Sequence, residues 1–331
     1  MVRRIGLTGD VMLGRLVDDR QRQRSVTAVW GDLLDRLRGL DGLFVNLECA
    51  LSTRGEPWRR TERAFHFRAD PDWAVPALDE AGVDCCALAN NHVLDFEEAA
   101  LSDTLDALDA ADVAHAGAGR TRTEAFDPAV VAVNDLDVAF VSLTDNTPEY
   151  AATETTPGTA YVAIAVDDAE TRAAVDDVLD RARAHDPDLL VASLHWGPNM
   201  VETPPERFRT FAHWLVDRGV DVVHGHSAHV FQGVEVYRGR PVLYDTGDFV
   251  DDYAVDDRLR NDRSFLFELS VSPAGDPVEL RLLPTEIDDC AVHEASPEAA
   301  EWSRDRMRAL SDPFGTSFER DGAALVTTLD G

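Results

Sequence analysis

Lysine is missing from this chain. All 31 of its basic residues are arginine, and they face 62 acidic residues, for a formal net charge of −31. A surface this acidic repels a phosphate backbone, which argues against nucleic acid as a main partner. Apolar residues are not scarce. They make up 44% of the chain, as in an ordinary globular protein, so disorder is a poor explanation. Acidic cover on a packed core suits concentrated salt, where self-repulsion is screened, and the expectation is a halophilic protein.

Cysteine is also sparse. Cys49, Cys85, Cys86 and Cys290 lack the spacing of a zinc site or a disulfide framework, and adjacent Cys85 and Cys86 read as small core residues. MVRRIGLTGD enters a strand at once, with no apolar run of signal-peptide or membrane length before the first motif. The expectation is a soluble, cytoplasmic protein with no membrane segment. No internal repeat or low-complexity linker divides the chain. It reads as one domain over 1–331, with a motif-bearing core at 5–250 and further strands and a helix in 251–331.

What is present is an alternation of apolar runs and helical patterns, the mark of an α/β fold. The runs predict strands at Arg4–Thr8, Leu43–Asn46, Asp84–Leu88, Val138–Leu143, Leu189–Leu194 and Asp221–His224. Helices are expected at Asp72–Ala81, Glu97–Ala110, Asp167–Ala184 and Pro205–Arg218, with acids or proline at their starts. Beyond His229 the pattern becomes a hairpin, Val230–Tyr237 with Pro241–Tyr244, then strands near Ser264–Ser270 and Val278–Leu283. A helix near Pro297–Leu310 and a loose end follow. Two long irregular segments, Ala50–Arg63 and Thr144–Thr159, have the length of functional lids.

Nearly every predicted strand runs straight into a residue that can bind a divalent cation. Asp10 ends the first, Asn46-Leu47-Glu48 the second and Asn90-Asn91-His92 the third, with Asp95 close behind. Asp145 and Asn146 follow the fourth strand, His195 the fifth, and His226 and His229 the sixth. In open α/β sheets ligands bind beyond the carboxyl ends of the strands, so parallel strands would bring these groups to one rim. Carboxylate, amide and imidazole donors together suit manganese, iron or zinc, and Glu48 could bridge two such ions. His92 would then stand as proton donor to a leaving group, oriented by Asp95.

Each piece also has a plain structural reading. Asp10 could cap a helix, Asn90-Asn91 could be a turn, and His195 could be a buried ring. His224 belongs to its strand and is the weakest ligand candidate. His66, His115, His185 and His213 read as surface or packing residues. Only the conjunction of these strand ends outweighs the alternatives.

The stretches GDVMLGR (9–15), NLECALS (46–52), FRADPDW (67–73), LANNHVLDF (88–96), LHWG (194–197), GHSAHVFQGVEVYRG (225–239) and YDTGDFV (244–250) resemble the CapA family. That family is also called the bacterial capsule synthesis or poly-γ-glutamate synthesis protein family, and it is related to calcineurin-like metallophosphoesterases. The resemblance implies a four-layer α/β/β/α sandwich of the metallophosphatase type, with one or two divalent cations at one edge. It carries metal-ligand roles onto Asp10, Glu48, Asn91, His195, His226 and His229, and the catalytic-histidine role onto His92. The sequence departs from the pattern at Met12, where calcineurin-like enzymes usually have histidine. It departs again at Ser227-Ala228, Asn199 and Asp248, where histidine-proline, glutamate and asparagine are usual. Arg15, Asn90, Asn199 and Asp248 are candidate substrate contacts.

Three functions follow as expectations. The first is a metal-dependent hydrolase of phosphoester or γ-glutamyl amide bonds, taking a small-molecule, peptide or polymer substrate. The second is an accessory role in making a surface polymer, and the third a metal-stabilised binding protein without catalysis.

Overall fold

The computed structural model describes residues 2–329. Two sheets carry the fold. The larger one is ordered, from edge to edge, Glu319–Asp321, Ala324–Thr328, Pro277–Asp288, Arg263–Val271, Arg3–Val11, Gly42–Leu47, Cys85–Ala87 and Ala114–Ala116. The smaller one runs Val234–Tyr237, Arg240–Leu243, Val222–His226, Leu189–His195, Leu136–Thr144 and Ala129–Val133. The strands predicted from apolar runs form the parallel centres of both sheets. Strands buried on both faces need apolar side chains on both, which is why they read as runs rather than alternations.

Successive residues nonetheless divide between two layers of core, because strand side chains point to opposite faces. Ile5, Leu7 and Phe44 from the large sheet meet Val138, Phe140, Leu189 and Val191 from the small one. Phe44 and Phe140 stack across that interface with ring centres 5.3 Å apart. Their neighbours face outward. Leu43 and Val45 pack with Leu78, Leu101 and Leu105 of helices Pro71–Ala81 and Glu97–Ala110. Leu190 and Ala192 pack with Val175, Leu179, Phe211 and Leu215 of helices Ala169–Arg183 and Glu206–Asp217. The result is the expected α/β/β/α sandwich.

The helix starts follow their sequences. Asp70 accepts from the Asp72 amide ahead of Pro71, and Asp168 accepts from the Thr171 amide, each closing one of the free N–H groups of a first turn. Among the described residues no helix is long and apolar enough to cross a membrane. All four cysteines are buried and unpaired.

The loose C-terminal end is corrected. Glu319–Asp321 and Ala324–Thr328 form a hairpin that extends the large sheet, with Leu280 paired to Thr327 and Leu282 to Leu325. Gly322-Ala323 supplies the tight turn after Asp321, Gly322 at φ 60, and Leu325 is fully buried between the sheets.

The two long irregular segments pack together. The Trp58 and Tyr150 rings meet edge to face at 4.7 Å. Arg63 donates to the Thr147 hydroxyl at 3.0 Å and to the Asn91 carbonyl at 2.5 Å, which ties both segments to the end of the third predicted strand.

Candidate metal centre

The strand pairings bring the polar ends into line. Asp10 is the register partner of Asn46 on one side and Asp248 on the other, and His195 pairs with His226. Asp10 therefore lies within its strand and caps no helix. Close backbone approach sets this edge: a Cβ on Gly9 would fall 1.8 Å from the Gly247 carbonyl oxygen, whose partner is the Asp10 amide at 2.8 Å.

The loop carrying the last histidine is strained and braced. Ser227 at φ 115 and His229 at φ 59 lie in the region L-residues avoid. Asp245 accepts from the Ala228 amide at 2.7 Å, and Asn146 donates to the Ser227 hydroxyl at 2.8 Å. Asp145 accepts from the Gly197 amide at 3.2 Å. Asp145 and Asn146 thus hold loops around the site.

Two groups of donors converge there. Asp10, His195 and His226 form one; Asp10, Glu48, His229 and Asp248 form the other, the candidate ligand atoms in each lying within 4.8 Å of one another. The carboxylate common to both is Asp10, where the sequence pointed to Glu48. His226 Nδ1 is 3.7 Å and His195 Nδ1 4.0 Å from Asp10 Oδ1, while His229 Nδ1 is 3.5 Å from Oδ2. Glu48 Oε1 is 3.8 Å from His195 Nε2. Asn46 fixes Asp10 through a 2.7 Å bond, and Ser193 fixes His226 at 2.8 Å.

These groups are poorly satisfied by protein alone. Asp10 Oδ2, Glu48 Oε1, Asn91 Oδ1 and Asp248 Oδ2 are buried oxygens without a hydrogen-bond partner among the described residues. Native proteins rarely leave such atoms bare. Burial raises the Asp10 carboxyl to about 6, and pushes Glu48 and Asp248 well above the usual carboxylate range, where Asp10 repels both. Asp251 is raised in the same way by burial and by Asp248. Burial first, and neighbouring imidazoles second, hold His195 and His226 well below the ordinary histidine value. Neutral imidazoles beside mutually repelling carboxyls are a donor set that a positive ion would satisfy, and these buried groups could hold a metal ion.

His92 stands at the edge of this cluster. Its Nδ1 lies 2.5 Å from Asp95 Oδ2 and its Nε2 4.0 Å from Glu48 Oε1. Asp95 also accepts from the Phe67 amide at 2.7 Å and the Tyr150 hydroxyl at 3.0 Å, and the Phe67 ring stacks on the imidazole at 3.9 Å.

The candidate substrate contacts separate. Arg15 and Asn199 line a pocket that also includes His92 and His229. Asn90 does not: it is fully buried, donates to Leu47 and Asn46, and accepts from the His92 and Val93 amides. Its polar atoms are spent on shaping the turn, which replaces the substrate-contact reading. Asp248 is likewise buried, 2.9 Å from His229 Nδ1, inside the donor cluster rather than on the pocket wall. His224 is a core residue bound to the Thr8 carbonyl at 2.8 Å, as its place in the strand suggested.

The family model described as bacterial capsule synthesis protein PGA_cap matches residues 4–253. The chain belongs to this family. Among PGA_cap relatives, a probable polyglutamine synthesis accessory protein of Mycobacterium tuberculosis is 33% identical, over 93% of this chain and 91% of its own length. The capsule biosynthesis protein CapA of Bacillus anthracis is 29% identical, over 74% of this chain and 59% of that protein. The PGA biosynthesis protein CapA of Bacillus subtilis is 27% identical, over 87% and 71%. The PGA_cap match takes in every residue of both donor groups, as well as His92, Asp95 and Tyr253. Tyr253 was missed in the sequence, where nothing in its spacing marks it; its hydroxyl lies 3.4 Å from Glu48 Oε2 and its ring packs edge-on against His229.

Proposed function

We infer that this protein is a metal-dependent hydrolase of a phosphoester or γ-glutamyl amide bond, serving the capsule, polyglutamine or PGA synthesis named in its family and relatives. Asp10, Glu48, His195, His226 and His229 would hold one or two ions of manganese, iron or zinc, and Asp248 joins them in the second group. Asn91, whose buried Oδ1 has no hydrogen-bond partner among the described residues, is the remaining expected ligand and lies outside both groups. Such an ion supplies positive charge to the oxygen of the bond under attack and lowers the pKa of a bound water.

The observation that carries the reading is His92. Asp95 holds its Nδ1, which leaves Nε2 directed between the donor cluster and the pocket. Burial keeps the imidazole below its ordinary pKa despite Asp95, so the neutral ring can take a proton at Nε2 and return it to a leaving group. An imidazole anchored at Nδ1 and open at Nε2 favours catalysis over binding alone.

Elemental analysis of the purified protein, followed by assays on a generic phosphodiester and a γ-glutamyl peptide, tests the reading. Full activity after replacing both His226 and Asn91 by alanine would sink the site. The name of the Mycobacterium tuberculosis relative supports an accessory role in polymer synthesis, and the alternative is that role without hydrolysis. A metal-loaded protein inert on every substrate offered would support it.

A further inference from the structure

The pocket beside the donor cluster has a volume of about 440 Å³. Its lining includes His92 and His229, three aromatic rings from Phe65, Phe67 and Tyr253, and Arg15. No carboxylate lines it. In a chain with 62 acidic residues that sets it apart from four other surface pockets, whose walls each carry at least one aspartate or glutamate.

Arg15 is held rather than loose. One guanidinium nitrogen forms an ion pair at 2.9 Å with Oδ1 of Asp252, whose side chain is 1% exposed and whose Oδ2 accepts from the Leu16 amide at 2.9 Å. Its guanidinium carbon is 5.0, 5.5 and 5.8 Å from the ring centres of Phe65, Phe67 and Tyr253, within the range of cation–π attraction. Asp252 is its one ion-pair partner among the described residues, which leaves further N–H groups of the planar fork for a ligand. The Arg15 backbone sits at φ 54, a conformation that persists only where surroundings impose it. Gly14 beside it admits no side chain, because a Cβ there would meet the Arg68 amide nitrogen at 2.8 Å.

We propose that the pocket grips the substrate by a carboxylate seated on Arg15, with the stem of that group against Phe65, Phe67 and Tyr253 and the reacting bond toward His92. A single guanidinium already shared with Asp252 matches a monoanion. The inference rests on the hydrolase reading for the direction of the reacting bond. It names the substrate class as carboxylate-bearing, of which a γ-glutamyl peptide is one member.

Calorimetric titration of the metal-supplemented protein with γ-glutamylglutamate, and with the same dipeptide amidated at every carboxyl, provides the test. Wild type should bind the acid at least tenfold more tightly than the amide. Arg15→Gln should bring the acid down to the level of the amide, and Arg15→Lys should recover part of the difference by keeping the charge without the fork. No preference for the acid in wild type, or an equal loss of acid and amide binding in both variants, overturns the subsite. Turnover of a generic phosphodiester in the same preparations keeps the two readings apart. Acid preference without any turnover removes the hydrolase and keeps the carboxylate subsite, whereas turnover without acid preference does the reverse.

Discussion

His195 and His226 are register partners on adjacent parallel strands, and their Nδ1 atoms lie 2.9 Å apart, both within about 4 Å of Asp10 Oδ1. Two buried imidazoles that close leave little room for protons on both facing nitrogens. A shared cation uses both lone pairs at once. Metal should therefore contribute to stability. An ion present at a hundred to a thousand times its Kd adds about 3–4 kcal/mol. Scanning calorimetry should show a chelator lowering Tm by several degrees in wild type and not in His226→Ala. A chelator-insensitive wild type contradicts the assignment.

His92 should separate chemistry from metal retention. Replacing it by asparagine is expected to lower kcat by about 10²–10⁴, the usual worth of a positioned acid or base, while metal content stays at the wild-type level. Asp95→Asn should lose less, because the amide oxygen can still accept from Phe67 or Tyr150. Loss of metal from His92→Asn would make the residue a ligand instead of an acid/base.

Met12 occupies the place where calcineurin-like enzymes usually have histidine. Here its side chain is fully buried among the helix-side core residues and its sulfur accepts from the Gly14 amide at 3.1 Å. Met12→His should add no metal and should cost about 1–3 kcal/mol, as for a buried polar group without a partner. Denaturant unfolding and elemental analysis of the variant check both halves. A gain of metal would show that the position can reach the cluster.

Acid should act through His224, which burial pushes down to about 4 from an ordinary 6.5. The folded state then binds fewer protons than the unfolded state between those values. The stability it contributes is complete above about 6.5, is lost as pH falls toward 4, and amounts to something on the order of 3 kcal/mol. Asp10 and Asp245, raised by burial to about 6 and about 8, work in the opposite direction, so the wild-type curve alone is ambiguous. The readout is the stability difference between wild type and His224→Gln in urea, which should shrink between pH 7.5 and 4.5. An unchanged gap rejects the idea.

The centre of the fold was plain in the sequence because strands buried on both faces must be apolar throughout, and the polar residue that ends each run stands out. Asp10, Glu48, His195 and His226 were legible for that reason. Asp248 was harder to place. It sits on a three-residue strand, Asp248–Val250, whose pairing to Asp10 spans more than two hundred residues and leaves no local period. Asn90 shows the reverse failure. A turn asparagine that shapes the loop and one that meets a ligand look alike until its four hydrogen bonds are seen. The terminal hairpin announced itself only by Gly322, too short a signal beside strands of five residues or fewer.

Asp10 belongs to one sheet, His195 and His226 to the other, and Phe44 stacked on Phe140 joins the two. Neither sheet alone assembles either group of donors completely. The first group cannot exist before the sandwich has closed, over chain separations that make such contacts slow to form. An ion captured there would be a late arrival on the folding pathway. It would hold the finished molecule shut and slow its opening, while leaving the rate of its assembly almost untouched.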